Sequence, residues 1–130
     1  LDRIKKKFDN AREDLPEPVY RKLDGAKIGL IGMGSTEPAI IEAQDKLKTH
    51  GIQTDFMRIR ALPFSNAVSE FIQAHEQNYI LELNRDGQLH EILLIDYPDL
   101  ALRMTSCCYI DGLPMTADWI FDTISSKEQK

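Results

Sequence analysis

Short apolar runs alternate with segments of helical periodicity over most of the chain. Four runs predict strands, at residues 27–31, 54–59, 78–83 and 104–110. Apolar residues at i, i+3 and i+4 predict the intervening helices, which end near His50, start after Ser65, run from about Gly87 to Ile95, and follow Pro114. This alternation is typical of a mostly parallel sheet with helices on both faces. We therefore predict a three-layer α/β/α domain with an open sheet of about four to five strands.

The pattern divides the chain into three parts. Residues 1–24 carry only a short helical stripe and then Pro16 and Pro18, which break regular elements, so they are predicted to be a lead-in or linker. Residues 25–124 form the folded unit, and residues 125–130 are predicted to be a flexible tail. Because the chain begins with Leu1 rather than Met, we expect it to be a piece of a longer polypeptide or a chain whose start is missing.

Charge and composition narrow the possible functions. The net charge is -5, and it is uneven: residues 1–22 contain seven Lys/Arg and five Asp/Glu, whereas the remainder contains nine and sixteen. An acidic domain is poorly suited to bind nucleic acid, which requires neutralised phosphates, and the basic residues 3–7 fit a solvated linker better. No apolar run approaches the roughly 20 residues of a membrane helix. We expect a cytoplasmic protein that binds neither nucleic acid nor membrane.

The two cysteines, Cys107 and Cys108, are adjacent in a predicted strand. Neighbouring strand residues point to opposite faces, so these two are poorly placed to pair with each other. Neither a CxxC motif nor a Cys/His metal spacing is present in the sequence. We interpret them as two small strand residues in a reducing compartment and predict no metal site.

The parallel sheet would gather four loops at the carboxyl ends of its strands, where open α/β domains place ligands and partners. These loops carry Ser35 and Thr36, then Arg60, then Asn84 and Arg85, then Asp111. We expect this edge to be the ligand or partner surface.

The first of these loops invites a dinucleotide interpretation. Gly32 and Gly34 follow a strand and precede a helix, but Glu37 stands where the third glycine of G-x-G-x-x-G belongs. The alternatives are a plain turn with helix capping, or a weak anion site made by Gly34, Ser35, Thr36 and Arg60.

No convincing catalytic set is evident. Ser35 is not in a G-x-S-x-G elbow, and no histidine is tied to a nucleophile. The polar turn at residues 82–88, ELNRDGQ, suits local side-chain hydrogen bonding and a positive φ. It is either a structural turn or one that docks on a partner domain, through Glu82, Asn84, Arg85, Gly87 and Gln88.

Together, these segments resemble one family. Residues 27–36 (KIGLIGMGST), the Pro-Phe loop at 62–64, the turn at 82–89 (ELNRDGQL) and the closing turn at 109–114 (YIDGLP) are similar, in this order, to the transketolase C-terminal-like domain in the α subunit of 2-oxoacid:ferredoxin oxidoreductases. The lead-in resembles the linker before that domain. The resemblance covers roughly residues 1–122, and it does not account for Cys107 and Cys108.

The resemblance implies a function for the whole enzyme. Family members oxidatively decarboxylate a 2-oxoacid such as 2-oxoglutarate or pyruvate to an acyl-CoA and pass the electrons to ferredoxin. Thiamine diphosphate with Mg²⁺ is implied between a pyrimidine-binding domain of the α subunit and the β subunit, with iron–sulfur clusters carrying the electrons. None of these cofactors is implied in this domain.

The leading hypothesis is thus an assembly domain that is not catalytic in isolation. Its expected partners are the preceding pyrimidine-binding domain and the β subunit, with ferredoxin as partner of the whole enzyme. Two alternatives remain: a free-standing nucleotide- or anion-binding domain that could take coenzyme A, and an unrelated regulatory module.

Overall fold

The structure is a computed structural model that describes residues 1–11 and 14–129. Five strands and five helices occur in the order α1 (Asp2–Ala11), β1 (Val19–Arg21), β2 (Ile28–Met33), α2 (Glu37–Thr49), β3 (Thr54–Ile59), α3 (Asn66–Ala74), β4 (Gln77–Glu82), α4 (Gln88–Asp96), β5 (Met104–Cys108) and α5 (Ala117–Glu128). Short 3₁₀ turns occupy Gly34–Thr36 and Pro98–Arg103. The predicted α/β architecture and strand count are confirmed. Among the described residues, no helix is long and apolar enough to cross a membrane.

The sheet has the strand order β1-β3-β2-β4-β5. In the described sheet, β2, β3, β4 and β5 run parallel to one another, and β1, at one edge, is antiparallel to β3. In the centre, Leu30 of β2 lies beside Phe56 of β3 and Tyr79 of β4. The carboxyl ends of β2, β3, β4 and β5 therefore share one edge, as the sequence predicts.

Two apolar clusters pack on opposite faces of the sheet. Helices α2 and α5 cover one face with Ile40, Leu47, Ile120 and Ile124 against the central strands. Helices α3 and α4 cover the other face, where buried Ile31, Met57 and Ile80 meet buried residues of both helices. The sheet thus separates two cores, and the strands are apolar on both sides because both sides are covered.

The folded unit begins earlier than the predicted boundary near Gly25. Val19, Tyr20 and Arg21 pair with β3. The Arg21 guanidinium donates to the Ile41 carbonyl at 3.0 Å and to Asp45 Oδ1 at 2.9 Å, which fastens β1 to α2. The last part of the predicted lead-in is therefore an edge strand of the sheet.

The predicted flexible tail at 125–130 is largely helical. Helix α5 continues to Glu128 because Ser125 is buried and the Tyr79 hydroxyl donates to Glu128. Burial and this hydrogen bond raise the pKa of Tyr79. Gln129 follows the end of the helix, and residue 130 lies outside the described residues.

Candidate functional site

The loops at the carboxyl edge of the sheet converge as predicted and form two adjoining grooves. The first, of about 260 Å³, lies between Met33, Leu62 and the 82–88 turn. The second, of about 510 Å³, lies between Ser35, the same turn and residues 109–114. Leu83 and Asn84 line both grooves, so the 82–88 turn forms the ridge between them.

Glu82 stabilises this turn through hydrogen bonds made by its buried side chain. Its buried carboxylate accepts hydrogen bonds from Leu89 N at 2.6 Å, from His90 N at 3.2 Å and from Asn84 Nδ2 at 3.0 Å. Leu89 and His90 are in the first turn of α4, where backbone N–H groups lack helical partners and the helix dipole favours an anion. Glu82 thus caps α4 from seven residues upstream, and its oxygens are occupied by the protein itself.

Asn84 and Gly87 complete the turn. Asn84 Oδ1 accepts from Gly87 N at 2.7 Å and more weakly from Gln88 N at 3.4 Å. Gly87 has φ +65°, and a Cβ there would lie 2.8 Å from Ser106 Oγ, so both conformation and space require glycine. The sequence places these residues correctly in one turn, and their polar atoms serve its geometry.

The remaining members of the turn face solvent. Arg85 and Asp86 form an exposed ion pair with each other at 2.8 Å, and Gln88 is exposed. The turn therefore combines a rigid inner ring of hydrogen bonds with an outer surface that is free to meet another molecule.

The candidate anion residues lie at the same edge in a less favourable arrangement. The buried Thr36 hydroxyl donates to the Met33 carbonyl at 3.2 Å and makes no capping hydrogen bond to α2. Glu37, the first residue of α2, accepts a hydrogen bond from Arg58. Arg60 is exposed and makes no hydrogen bond or ion pair with the described residues. A carboxylate at the start of α2 opposes binding of a second anion there.

Packing and backbone conformation explain why glycine occupies two positions in this loop. A Cβ on Gly32 would lie 2.7 Å from Ile40 Cδ1 and 2.9 Å from Thr36 Oγ1, so this position allows α2 to pack closely on β2. Gly34 has φ +70° with open space around its Cα, which is the requirement of a turn. Ser35 is exposed and lines the second groove.

The most exposed feature of this edge is apolar, and sequence analysis missed it. Besides Ile92 of α4 (37%), five side chains that line the grooves are substantially exposed: Met33 (37%), Leu62 (44%), Leu83 (43%), Ile110 (63%) and Leu113 (66%). We call these five residues the apolar edge. Periodicity assigned Leu83 and Ile110 to strands, and it gave no signal for their exposure.

The cysteines and acidic residues do not fit a resident cluster or metal. Cys107 is buried in the core beneath α5, whereas Cys108 lies 3.3 Å from Ser106 Oγ and below Gly87, on the other face. An iron–sulfur cluster is held by four cysteine thiolates, and burial raises the pKa of the Cys107 thiol to about 11. No group of three or more potential metal ligands occurs among the described residues.

A polar contact at the opposite edge was also missed. His75 is buried and its Nε2 lies 2.8 Å from Asp55 Oδ2, a contact that the sequence analysis did not indicate. The available signal was that His75 continues the apolar face of α3. Ser65 is at the N-cap position of α3, and its hydroxyl donates to Glu17.

No family model matches the chain. It is 32% identical over 93 residues to the α subunit of 2-oxoacid:ferredoxin oxidoreductase 2 of Aeropyrum pernix, a match that covers 68% of this chain and 14% of the relative. It is 30% identical over 134 aligned positions to the α subunit of the 2-oxoacid:ferredoxin oxidoreductase of Saccharolobus solfataricus, covering 96% of this chain and 20% of the relative. The chain thus spans at most one fifth of the length of these curated relatives.

Solved structures show the same fold. A 2-oxoglutarate:ferredoxin oxidoreductase from Magnetococcus marinus, solved with 2-oxoglutarate, coenzyme A and succinyl-CoA bound, superposes with a TM-score of 0.77 at 20% identity over 92% of this chain and 21% of its own. The α chain of a probable 2-oxoacid ferredoxin oxidoreductase from Thermoplasma acidophilum gives 0.57 at 21% identity, over 88% of this chain and 98% of its own. The resemblance inferred from the four segments is confirmed, and the chain belongs to the family of 2-oxoacid:ferredoxin oxidoreductase α subunits.

Proposed function

We propose that this chain is an assembly domain in the α subunit of a thiamine-diphosphate-dependent 2-oxoacid:ferredoxin oxidoreductase. The enzyme would convert a 2-oxoacid, such as 2-oxoglutarate or pyruvate, to an acyl-CoA in the cytoplasm. The domain would be inactive alone and would hold neighbouring parts of the enzyme in place. Its partners would be a pyrimidine-binding domain of the same subunit and the β subunit, and ferredoxin would take the electrons from the whole enzyme.

The internal hydrogen bonding of the 82–88 turn carries this proposal. This turn is at the position where an open α/β domain would present catalytic or cofactor-binding groups. The Glu82 carboxylate and the Asn84 amide instead bond to the backbone of the turn and of α4. Groups committed in this way support a fixed surface and leave no reactive atom free.

The cofactors of the enzyme would be held elsewhere. The described residues do not fit an iron–sulfur cluster, as the placement of Cys107 and Cys108 argues, and they contain no cluster of ligands suited to Mg²⁺. Thiamine diphosphate would supply the decarboxylation chemistry in its own site. The contribution of this chain would be to position the surrounding domains.

Calorimetry on the purified chain tests the absence of a cofactor site. Thiamine diphosphate with Mg²⁺ should give no saturable heat up to about 1 mM ligand, which corresponds to a binding free energy weaker than about -4 kcal/mol. A micromolar dissociation constant for the chain alone would defeat the assignment. The assembled enzyme, titrated identically after removal of its cofactor, is the positive control.

Steady-state kinetics on the assembled enzyme separate assembly from catalysis. Glu82→Ala should reduce the yield of assembled enzyme, while the enzyme that does assemble keeps its KM for the 2-oxoacid. A KM raised tenfold with normal yield would place Glu82 at the substrate and contradict the proposal. Glu76→Ala, which removes an exposed carboxylate at the opposite edge of the sheet, is the control.

A further inference from the structure

The apolar edge (Met33, Leu62, Leu83, Ile110 and Leu113) is unusual for the position it occupies. Met33 ends β2, the other residues come from the loops that follow β3, β4 and β5, and all of them border two adjoining grooves, so they form one surface. Contiguous apolar surface on a folded domain marks an interaction site more often than scattered single residues do. The exposed apolar side chains at the carboxyl edge therefore indicate a surface that another molecule or domain covers.

This surface is held rigidly. Leu83 lies between Glu82 and Asn84, whose side chains are fixed by hydrogen bonds to the turn and to α4. Leu113 follows a turn in which Asp111 accepts from Leu113 N at 3.1 Å and from the Tyr109 hydroxyl at 2.8 Å. Apolar side chains presented on a pre-ordered backbone lose little conformational entropy on binding, which favours tight contacts.

The charges around the surface define the partner further. Arg58 is paired with Glu37, and Arg85 is paired with Asp86. Arg60, two residues before Leu62, is exposed and has no such partner among the described residues. A complementary surface would therefore present apolar side chains to the grooves and a carboxylate to Arg60.

We propose that the apolar edge is where this domain docks on another domain of the same oxidoreductase subunit, through an apolar surface that carries a carboxylate opposite Arg60. The inference rests on the proposed function. The curated relatives are chains of which this domain matches one fifth or less, so they contain ample further polypeptide to supply such a surface. Burial of the apolar edge would make the 82–88 turn a ridge inserted between two elements of the partner domain.

Cysteine labelling tests the docking surface directly. Leu83→Cys and Leu113→Cys are compared with Leu102→Cys, because Leu102 is 97% exposed and lies two residues before the start of β5, at the opposite edge of the sheet. Maleimide modification is followed by peptide mass spectrometry, which distinguishes the new cysteines from Cys107 and Cys108. Each variant is measured in the isolated chain and in the complete subunit or enzyme that contains it.

All three cysteines should react rapidly in the isolated chain. In the complete enzyme, the rates at positions 83 and 113 should fall by about tenfold or more, since modification then requires local opening, and the rate at position 102 should be unchanged. Equal rates at position 83 in both samples would overturn the inference. Protection that already exists in the isolated chain and rises with its concentration would instead identify a second copy as occupant and would also overturn it.

Two further measurements keep this result separate from the proposed function. Arg60→Glu should weaken docking and raise labelling at position 83 in the complete enzyme, whereas Lys27→Glu, at the other edge, should not. Dye reduction that depends on both a 2-oxoacid and coenzyme A is measured on the same preparation. Activity without protection refutes the docking surface alone, whereas absence of that activity from every assembly containing the chain refutes both proposals.

Discussion

His75 Nε2 and Asp55 Oδ2 lie 2.8 Å apart in the interior, at the edge of the sheet opposite the grooves. His75 Nδ1 faces the Phe71 carbonyl at 2.7 Å, so both ring nitrogens point at oxygen atoms. Because a carbonyl can only accept, Nδ1 donates to Phe71, and Nε2 is held by its hydrogen bond to Asp55. Asp55 Oδ1 also accepts from Leu23 N at 2.7 Å, which ties the segment after β1 to the same pair.

This arrangement predicts different results for two substitutions of Asp55. Asp55→Ala removes the acceptor of Leu23 N and leaves His75 Nε2 buried without a partner, so the free energy of unfolding should fall by about 2–4 kcal/mol. Asp55→Asn keeps an acceptor for Leu23 N and offers a donor to a neutral His75, and it should cost about 1 kcal/mol or less. Urea denaturation followed by circular dichroism measures both.

The exposed Lys27–Glu76 pair, at 3.3 Å, supplies the control, because Glu76→Gln should leave stability almost unchanged. If Asp55→Ala is no worse than Glu76→Gln, the buried pair has no structural importance.

Removal of the Glu82 carboxylate should destabilise the start of α4. Glu82→Ala leaves the N–H groups of Leu89 and His90 without their acceptor, at a cost of about 2–3 kcal/mol. Glu82→Gln retains one acceptor oxygen and should lose about half as much. Thermal unfolding of the isolated chain gives the comparison, with Asp86→Ala expected within about 0.5 kcal/mol of the parent. Equal stability of Glu82→Ala and Asp86→Ala would show that Glu82 does not cap α4.

Substitution of two glycines by alanine distinguishes the stability cost of backbone strain from the cost of steric crowding. Gly34 and Gly87 both have positive φ, but a Cβ meets nothing within 4 Å at Gly34 and lies 2.8 Å from Ser106 Oγ at Gly87. Gly34→Ala should therefore cost about 1–2 kcal/mol from conformation alone, and Gly87→Ala should cost a further 1–3 kcal/mol, roughly, from crowding.

The double variant Gly87→Ala, Ser106→Ala isolates the crowding, because it removes the obstructing hydroxyl. We compare the free energies of unfolding by equilibrium denaturation. The double variant should be less stable than Ser106→Ala by about as much as Gly34→Ala is less stable than the parent chain. An unchanged loss would mean that the close approach to Ser106 is not the cause.

The Cys107 thiol should be unusually inert. Burial raises its pKa to about 11 from an ordinary 9.0, so its thiolate fraction at pH 8 is about 100-fold lower than that of a free thiol. Iodoacetamide should therefore modify Cys107 in the folded chain at least about 100-fold more slowly than in urea. Rapid modification of native Cys107 would contradict its placement beneath α5.

The raised pKa of Cys107 also makes the free energy of unfolding depend on pH. The unfolded thiol ionises near pH 9, whereas the folded thiol resists ionisation until about pH 11. Between these values the folded state binds more protons, so stability falls as the pH rises, by at most about 3 kcal/mol from this group. Cys107→Ala should show a shallower loss over the same range, measured by urea denaturation at each pH.

Local patterns allowed most of the fold to be predicted. The four parallel strands are apolar on both sides, and each helix has its own periodic face, so neither required knowledge of distant contacts. β1 was missed because its three residues show no alternation, and it is held by pairing with β3 and by Arg21. The end of α5 was missed because Glu128 is held by a hydrogen bond from Tyr79, which is far away in sequence.

In the candidate site, too, some features could be predicted from the sequence and others could not. The 82–88 turn was predictable because Glu82, Asn84 and Gly87 satisfy one another within nine residues. The Asp55–His75 pair was not, since it depends on how β3 and α3 are placed across the sheet. The apolar edge was not predictable either, because a leucine at the end of a strand has the same sequence signature whether it is covered or exposed.

The shortness of β1 has a consequence for how the chain behaves during folding and storage. β3, which carries the apolar residues Phe56, Met57 and Ile59, would otherwise be an open edge whose free N–H and C=O groups could recruit a strand from another molecule. Three antiparallel residues cover those groups opposite Phe56, Met57 and Arg58, yet they are too few to act as a good template themselves. A chain cut at the predicted boundary near Gly25 would lose this protection, and its defect would appear as aggregation.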